Sequence, residues 1–368
     1  MTIMPLTVPK WGLSMTEGSV VAFHATPGDR VAAGEELYEL ETSKIANGVE
    51  APASGVLRRW LAVPGQVLPV GALVGILADE TVSDAELDAF VAGFVITDSG
   101  PGAPDAAPEY RSIDIDGLSI RYQLLAPAAA TGAPLVLLHG FGGDLHNWLL
   151  NADPPAAHRR VYLLDLPGHG GSSKVGGDLA ALAATVSGFL RALEPGAVNL
   201  GGHSLGAAVA LQLALSDPSR VLSLALIAPA GLGERINSGY IGGFLRAGRH
   251  RDLKPVVEML FHDQGLVTRE MIEDLLKARR IDGAEAALRA IASAVFPEGR
   301  QAVDFRDRLV ELAMPVLIVR GAEDAIIPPE PFAGLPGNFQ VETIPDCGHM
   351  PHLEAASAVN RAIAGILR

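Results

Sequence analysis

A serine lies in the pentapeptide Gly202-His203-Ser204-Leu205-Gly206, after an apolar run and before an alanine-rich stretch. The flanking residues predict a strand at Val198–Leu200 and a helix at 207–215. In the order strand, G-x-S-x-G, helix, the two glycines leave room for a strained turn that lifts the serine above the sheet. The following helix directs its N-terminal amides at the same place. We therefore expect Ser204 to act as a nucleophile.

A nucleophilic serine needs a base, and the base needs an acid that orients it. The predicted base is His349, in a loop that leads into the last helix, and the predicted acid is Asp324, just past an apolar strand. Loops at the carboxyl ends of parallel strands gather at one edge of a sheet. His352 is an alternative base and Glu323 an alternative acid. His203 is expected to be a packed neighbour.

Apolar runs alternate with helical patterns from residue 113 onward, which predicts a mostly parallel sheet covered on both faces. The predicted strands are Leu135–Leu138, Val161–Leu164, Val198–Leu200, Leu222–Ile227, Val316–Val319 and Gln340–Ile344. Between about 231 and 309 amphipathic helices interrupt this pattern, one of them at 268–276. We interpret that stretch as a cap over Ser204.

Residues 111–368 resemble the α/β-hydrolase family. The resemblance is carried by the elbow, by the order serine, aspartate, histidine, by His139-Gly140-Phe141-Gly142-Gly143 after a strand, and by the loop 165–172. It implies that the backbone N–H groups of Phe141 and Leu205 bind the oxyanion that forms during acyl transfer.

The first 80 residues contain an internal repeat. Pro27-Gly28 with Gly34 recurs as Pro64-Gly65 with Gly71, and short apolar strands follow each copy. Such turns and short strands predict a small all-β sandwich of two similar halves. A hairpin between the halves is expected to carry Lys44 near its tip.

This region resembles the lipoyl domain of 2-oxo-acid and acetoin dehydrogenase complexes, through the opening motif 9–18 and the tetrapeptide Glu41-Thr42-Ser43-Lys44. The resemblance implies that Lys44 carries lipoate in amide linkage. Ser43 stands where the family commonly has aspartate. Methionines, which flank the lysine of biotin carriers, are replaced here by Ser43 and Ile45, so biotin is disfavoured. The alternative is an unmodified surface lysine.

The sequence thus predicts a multidomain chain: a lipoyl-type sandwich at 1–80, a short helix and acidic linker at 81–110, and an α/β-hydrolase fold with a helical cap at 111–368. Residues 81–110 carry six acidic and no basic side chains. Ser83 is a predicted N-cap, and Leu87, Phe90 and Val91 would pack the helix on the first domain or, alternatively, on a partner.

Composition excludes several classes. A net charge of −14 disfavours nucleic acids and anionic membranes. The single cysteine, Cys347, can form neither an intrachain disulfide nor a cysteine-based zinc site, and no histidine spacing predicts a metal. The start lacks a basic region before an apolar run, and no 18-residue apolar stretch occurs, so we expect a cytoplasmic protein.

As a whole, the chain resembles dihydrolipoamide acetyltransferases of acetoin dehydrogenase complexes, in which an α/β-hydrolase-like domain replaces the usual acyltransferase domain. The resemblance implies transfer of acetyl from dihydrolipoamide to coenzyme A. It also implies a thiamine-diphosphate-dependent partner, dihydrolipoamide dehydrogenase, a lipoate ligase and a homo-oligomer.

Two alternatives stay open: a serine hydrolase, in which water resolves the acyl-serine, and a non-catalytic lipoyl scaffold. A basic cluster in the cap is either a solvated helix face or a landing site for the phosphates of coenzyme A. Its members are Arg246, Arg249, Arg251 and Lys254.

Overall fold

The computed structural model describes residues 3–9, 17–42, 46–94, 109–194, 196–327 and 335–368. The chain divides into two compact units, Met1–Pro108 and Glu109–Arg368. Unit 1 holds the two small β-sheets and unit 2 holds the large sheet with its helices.

Unit 1 is a sandwich of two four-stranded sheets. Its strands are β1 (Ile3–Thr7), β2 (Glu17–Phe23), β3 (Arg30–Val31), β4 (Glu36–Glu41), β5 (Ala46–Glu50), β6 (Gly55–Trp60), β7 (Val67–Pro69) and β8 (Leu73–Ala78). One sheet has the order β1-β8-β6-β3 and the other β5-β4-β2-β7. Leu37, Leu40 and Val74 are among the fully buried residues between them. The predicted all-β sandwich is confirmed.

The internal repeat appears as paired turns. Gly28 and Gly65 have φ angles of 106° and 84°, which a side chain rarely permits. The N–H of Gly28 donates to Leu57 O and that of Gly65 to Val20 O, both at 2.7 Å. Both donors and both acceptors are 37 residues apart in the chain, so the two halves use the same hydrogen bond.

A helix, α1 (Asp84–Gly93), follows the sandwich. Ser83 caps it reciprocally with Glu86. Leu87 is buried against Ile76 and Val82 of the same unit. The helix therefore packs on its own domain, as the sequence favoured; the linker residues 95–108 lie outside the described part.

Unit 2 contains one eight-stranded sheet. Its strands are β9 (Tyr110–Ile115), β10 (Leu118–Leu125), β11 (Leu135–Leu138), β12 (Val161–Leu164), β13 (Val198–His203), β14 (Val221–Ile227), β15 (Val316–Gly321) and β16 (Phe339–Ile344). The order is β16-β15-β14-β13-β11-β12-β10-β9. All six predicted strands are present and mutually parallel, while β9 and β10 form an antiparallel hairpin at one edge.

Helices cover both faces of this sheet. They are α2 (Asp153–Ala156), α3 (Leu179–Leu193), α4 (Leu205–Ser216), α5 (Ser238–Arg246), α6 (His250–Glu258), α7 (Arg269–Arg279), α8 (Ala284–Val295), α9 (Pro351–Glu354) and α10 (Ala356–Ile366). On β11, Val136 and Leu138 enter one core and Leu135 and Leu137 the other, because successive side chains of a strand alternate between its faces.

Four helices, α5 to α8, lie in the chain between β14 and β15. The predicted helix at 268–276 is confirmed as α7, and Thr268 caps it by accepting a hydrogen bond from Met271 N–H at 3.1 Å. None of the described helices combines the length and the apolarity that crossing a bilayer requires.

Candidate active site

The turn between β13 and α4 holds the backbone of Ser204 in a conformation that residues other than glycine rarely adopt, with φ 50° and ψ −113°. A Cβ atom at Gly202 would lie 2.4 Å from the backbone of Gly206, and one at Gly206 would lie 2.3 Å from Leu138 O. Both positions therefore require glycine. The strain is held by hydrogen bonds, since the N–H groups of Ala207 and Ala230 both donate to Ser204 O.

His349 and Asp324 meet although 25 residues separate them. His349 Nδ1 lies 2.8 Å from Asp324 Oδ2, and both side chains are 2% exposed. A carboxylate only accepts hydrogen bonds, so Nδ1 carries the proton and Nε2 is left with a lone pair. The other oxygen, Oδ1, accepts from the N–H groups of Ile326 and Ile327 at 2.8 and 2.9 Å. Both carboxylate oxygens of Asp324 therefore accept hydrogen bonds from the protein.

The elbow and the histidine loop are joined directly. His203 Nε2–H donates to His349 O at 2.8 Å, and the two rings are 4.9 Å apart. Within the described part of the chain, the Ser204 hydroxyl makes no hydrogen bond to the His349 ring. Such bonds commonly tighten only when substrate fills a site. The structure therefore brings the loop of His349 against the turn that holds Ser204.

The alternative residues named from the sequence have other contacts. Burial lowers the pKa of His352 to about 3, and its ring packs at a tilt of 40° against that of Trp148, with the ring centroids 4.8 Å apart. Burial likewise lowers the pKa of His203 well below its usual range, so both rings stay neutral. The Glu323 carboxylate accepts from Cys347 N–H at 3.0 Å and joins the acid loop to the histidine loop.

The loop after β11 faces the elbow. A Cβ at Gly140 would lie 3.3 Å from Ser204 Cβ, so the glycine permits a close approach. His139 holds the loop: its Nε2 accepts from Leu166 N–H at 3.0 Å, and its Nδ1–H therefore donates to Gly140 O at 2.8 Å. No described residue accepts the N–H of Phe141, and that of Leu205 begins α4 without a helical acceptor.

The cap covers this loop with aromatic rings. Phe244 and Phe296 lie 5.8 and 6.0 Å from the ring of Phe141, and all three are buried. A Cβ at Gly142 would lie 2.5 Å from the Phe244 ring. The cap therefore presses an apolar surface against the loop, which removes water from its vicinity.

One residue with a structural role at the site was missed from the sequence. Glu354 accepts from Gly348 N–H at 2.8 Å and from His262 N–H, in the cap, at 2.7 Å. His349 N–H donates to Leu260 O at 2.8 Å. These bonds fasten the histidine loop to the cap. The available signal was an acidic residue five positions after His349.

The predicted basic cluster lies at the end of α5 and the start of α6, where all four side chains are exposed. Arg251 is 3.5 Å from Asp252, and Lys254 is 3.4 Å from Glu258. Two of its charges therefore already have acidic neighbours on the same helix.

In unit 1, β4 and β5 pair antiparallel up to Glu41 and Ala46. The predicted hairpin is thus present, while Lys44 itself, with residues 43 and 45, lies outside the described residues. Among the described residues, one group of three could hold a cation: His24 with Glu36 and Glu39, at 3.2 and 3.1 Å. These side chains are open to solvent, and such exposed groups are common without an ion.

Two family matches cover most of the chain. Residues 133–356 match the family described as "alpha/beta hydrolase fold", and residues 4–77 match the family described as "Biotin-requiring enzyme". A structure titled as a membrane phospholipase A, a bacterial virulence factor, is 26% identical with a TM-score of 0.61, over 70% of this chain and 86% of that one.

Two curated relatives cover nearly the full length. One from Cupriavidus necator is 45% identical over 98% of this chain and 96% of the relative. One from Pseudomonas putida is 45% identical over 100% of this chain and 99% of the relative. Both are named "Dihydrolipoyllysine-residue acetyltransferase component of acetoin cleaving system".

Proposed function

Because the chain belongs to the family of dihydrolipoyllysine-residue acetyltransferase components of acetoin cleaving systems, we propose that Ser204, His349 and Asp324 form its catalytic triad. The enzyme is an acyltransferase with an α/β-hydrolase fold. In our proposal, an acetyl group passes from a lipoyl thioester to Ser204 and then to coenzyme A. The 2.8 Å contact between His349 Nδ1 and Asp324 Oδ2, beside a strained elbow serine, carries this proposal.

Lys44 is the proposed attachment point of lipoate. The strand pairing supports it, because the register Glu41↔Ala46 leaves only 42–45 to connect two antiparallel strands. The paired strands β4 and β5 supply the fixed base that a swinging arm requires. When attached, the lipoyl group supplies a thiol that carries acetyl as a thioester.

In the first half-reaction, Ser204 Oγ attacks the thioester carbonyl carbon and His349 Nε2 takes the hydroxyl proton. The carboxylate of Asp324 stabilises the imidazolium that results. The N–H groups of Phe141 and Leu205 donate to the oxyanion. As the carbon–sulfur bond breaks, His349 returns the proton to the departing sulfur, which leaves an acetyl ester on Ser204.

In the second half-reaction, His349 Nε2 takes the proton of the coenzyme A thiol, and the sulfur attacks the acetyl ester of Ser204. The carbon–oxygen bond then breaks and the proton returns to Ser204 Oγ. Thioester and oxygen ester exchange with little net driving force, so the protein's task is to position the second thiol and to exclude water. The rings of Phe141, Phe244 and Phe296 serve that exclusion.

Partition of a radiolabelled acetyl group tests the proposal against hydrolysis. With acetyl-dihydrolipoamide as donor and saturating coenzyme A, we expect acetyl-coenzyme A to exceed free acetate by at least about tenfold, because a buried ester meets a positioned thiol more often than water. Without coenzyme A, label should remain on the protein and be lost from Ser204→Ala. Mainly free acetate at saturating coenzyme A would identify a hydrolase instead.

Lys44→Arg tests the carrier half and keeps the positive charge. We expect the intact mass of protein coexpressed with a lipoate ligase to lose one lipoyl increment, because a guanidinium cannot form the amide. The variant should still acetylate coenzyme A from free acetyl-dihydrolipoamide. Lys10→Arg is the matched control; a lipoyl mass that survives Lys44→Arg would contradict the assignment.

The relatives' names place them in an acetoin cleaving system, which supports further proposals for partners. We infer a thiamine-diphosphate-dependent component that loads the arm, dihydrolipoamide dehydrogenase that reoxidises it, and a homo-oligomeric core. We also propose a reducing cytoplasm as the location, consistent with the buried thiol of Cys347.

A further inference from the structure

A cleft of about 500 Å³ opens between the start of the cap and the acid loop. Arg235 and Arg300 lie in its walls, with Glu234, Asn237 and Ala325 beside them. The two arginines come from segments 65 residues apart in the chain, and an antiparallel β-bridge between them brings the segments together. Neither arginine belongs to a motif or a basic cluster in the sequence.

Hydrogen bonds tie this cleft to the nucleophile. Gln301 is buried; its Nε2 donates to Arg235 O at 2.8 Å, and its Oε1 accepts from Gly231 N–H at 2.6 Å. The preceding residue, Ala230, donates its N–H to Ser204 O at 3.2 Å. Three hydrogen bonds therefore connect the segment of Arg235 to the turn that holds Ser204.

A second connection leads to the acid. Asn237 Nδ2 donates to Ala325 O at 2.9 Å, and Asn237 N–H donates to Ile326 O at 2.8 Å. Ala325 follows Asp324 directly, and Ile326 N–H is one of the two donors to Asp324 Oδ1. The cleft is thus a built extension of the site, fixed to the loops that carry the reacting groups.

We propose that this cleft binds the phosphate groups of the coenzyme A acceptor, an inference that rests on the proposed function. Guanidinium groups form bidentate hydrogen bonds with phosphate. Concave sites with a few convergent polar groups are where small ligands bind. The proposal requires the thiol arm of the acceptor to reach Ser204 from this cleft, whose wall includes Ala325, the residue after Asp324.

The ion pair that Arg300 makes in the cleft is exposed. Arg300 Nη1 lies 3.3 Å from Glu234 Oε2, and these side chains are 73% and 67% exposed. Exposed ion pairs contribute little to stability, so a phosphate group displaces the carboxylate at small cost. The exposed cluster of Arg246, Arg249, Arg251 and Lys254 does not line this cleft and serves as the comparison.

Two acceptors separate phosphate binding from catalysis: coenzyme A, and pantetheine, which has the same thiol arm without the nucleotide. For Arg300→Glu in the full-length chain, we expect the KM for coenzyme A to rise about tenfold, with loss of one charge-assisted contact and added repulsion. The KM for pantetheine should stay unchanged. Arg251→Glu is the matched control in the basic cluster and should change neither value.

Glu234→Gln should change the KM for coenzyme A in the opposite direction. A lowered KM cannot be explained by a general loss of structure. Removal of the carboxylate that competes for Arg300 should lower the KM for coenzyme A about threefold, a change of the size seen for exposed charge pairs, and leave that for pantetheine unchanged. If Arg300→Glu and Glu234→Gln alter both acceptors alike, or neither, the cleft proposal is wrong. A raised KM in Arg251→Glu alone would move the phosphates to the basic cluster. Acetyl transfer to pantetheine by the wild-type protein tests the acyltransferase proposal by itself, because it does not depend on the cleft.

Discussion

Ser204→Ala is expected to lower the rate of acetyl-coenzyme A formation by about 10⁴- to 10⁶-fold, the loss seen when the nucleophile of a serine triad is removed. The hydroxyl is the only group at the elbow that the proposed mechanism acylates. Without it, the imidazole of His349 has no oxygen to activate. What remains is uncatalysed thiol exchange in a site that still binds both substrates. Steady-state formation of acetyl-coenzyme A from acetyl-dihydrolipoamide measures the loss.

Ser216→Ala is the matched control, because Ser216 lies at the far end of the same helix, is exposed, and bonds only to Gln212 there. We expect it to keep wild-type turnover. Both variants should melt close to wild type, since the Ser204 hydroxyl bonds to nothing in the described chain. A Ser204→Ala protein with undiminished turnover would leave the chain as a lipoyl scaffold, with the chemistry performed by a partner.

Most of the sheet was predictable because its central parallel strands are short, buried and largely apolar runs. The six runs from Leu135 to Ile344 all became strands. The hairpin of β9 and β10 was not predicted as such, because the edge strand Tyr110–Ile115 is exposed over most of its length, with only Ile115 buried, and so lacks a continuous apolar signal.

The elbow was predictable because its constraint is local. Gly202 and Gly206 lie where any Cβ would collide with backbone atoms. Both glycines are within the same five-residue motif, so the requirement is visible in the sequence. The hydrogen bond between the cap and the histidine loop was not predictable, because Glu354 and His262 are 92 residues apart in the chain. A single carboxylate that serves distant backbone donors leaves no periodicity in the sequence.

Charged residues that are distant in the sequence are also hard to recognise as one site, and the cleft is an example. Arg246 to Lys254 stood out because they are adjacent in sequence, whereas Arg235 and Arg300 become neighbours only when the cap folds. The cluster from Arg246 to Lys254 spans the end of α5 and the start of α6, and two of its members lie near the acids Asp252 and Glu258 of α6. The cleft forms through contacts between segments that are distant in the chain, so the composition of the sequence does not predict it.

Asp324→Asn is expected to lower turnover by about 10⁴-fold, comparable to the loss when the triad aspartate of a serine protease is amidated. The geometry gives the reason. Oδ1 must still accept from the N–H groups of Ile326 and Ile327, so an asparagine keeps its carbonyl oxygen there. Its NH₂ group then faces His349 Nδ1.

Two donors cannot face each other, so the His349 ring in Asp324→Asn must move its proton from Nδ1 to Nε2. Nε2 then has no lone pair with which to take the proton of Ser204, although every heavy atom stays in place. Glu323→Gln is the control: its carboxylate serves Cys347 N–H, an amide oxygen can replace it, and turnover should stay within about threefold, the effect of a neutral exchange at one hydrogen bond. The ring-nitrogen NMR shifts of His349 report the tautomer directly. Should they match wild type in Asp324→Asn while turnover still falls 10⁴-fold, proton placement is not what the acid supplies, and the role assigned to Asp324 would have to be abandoned.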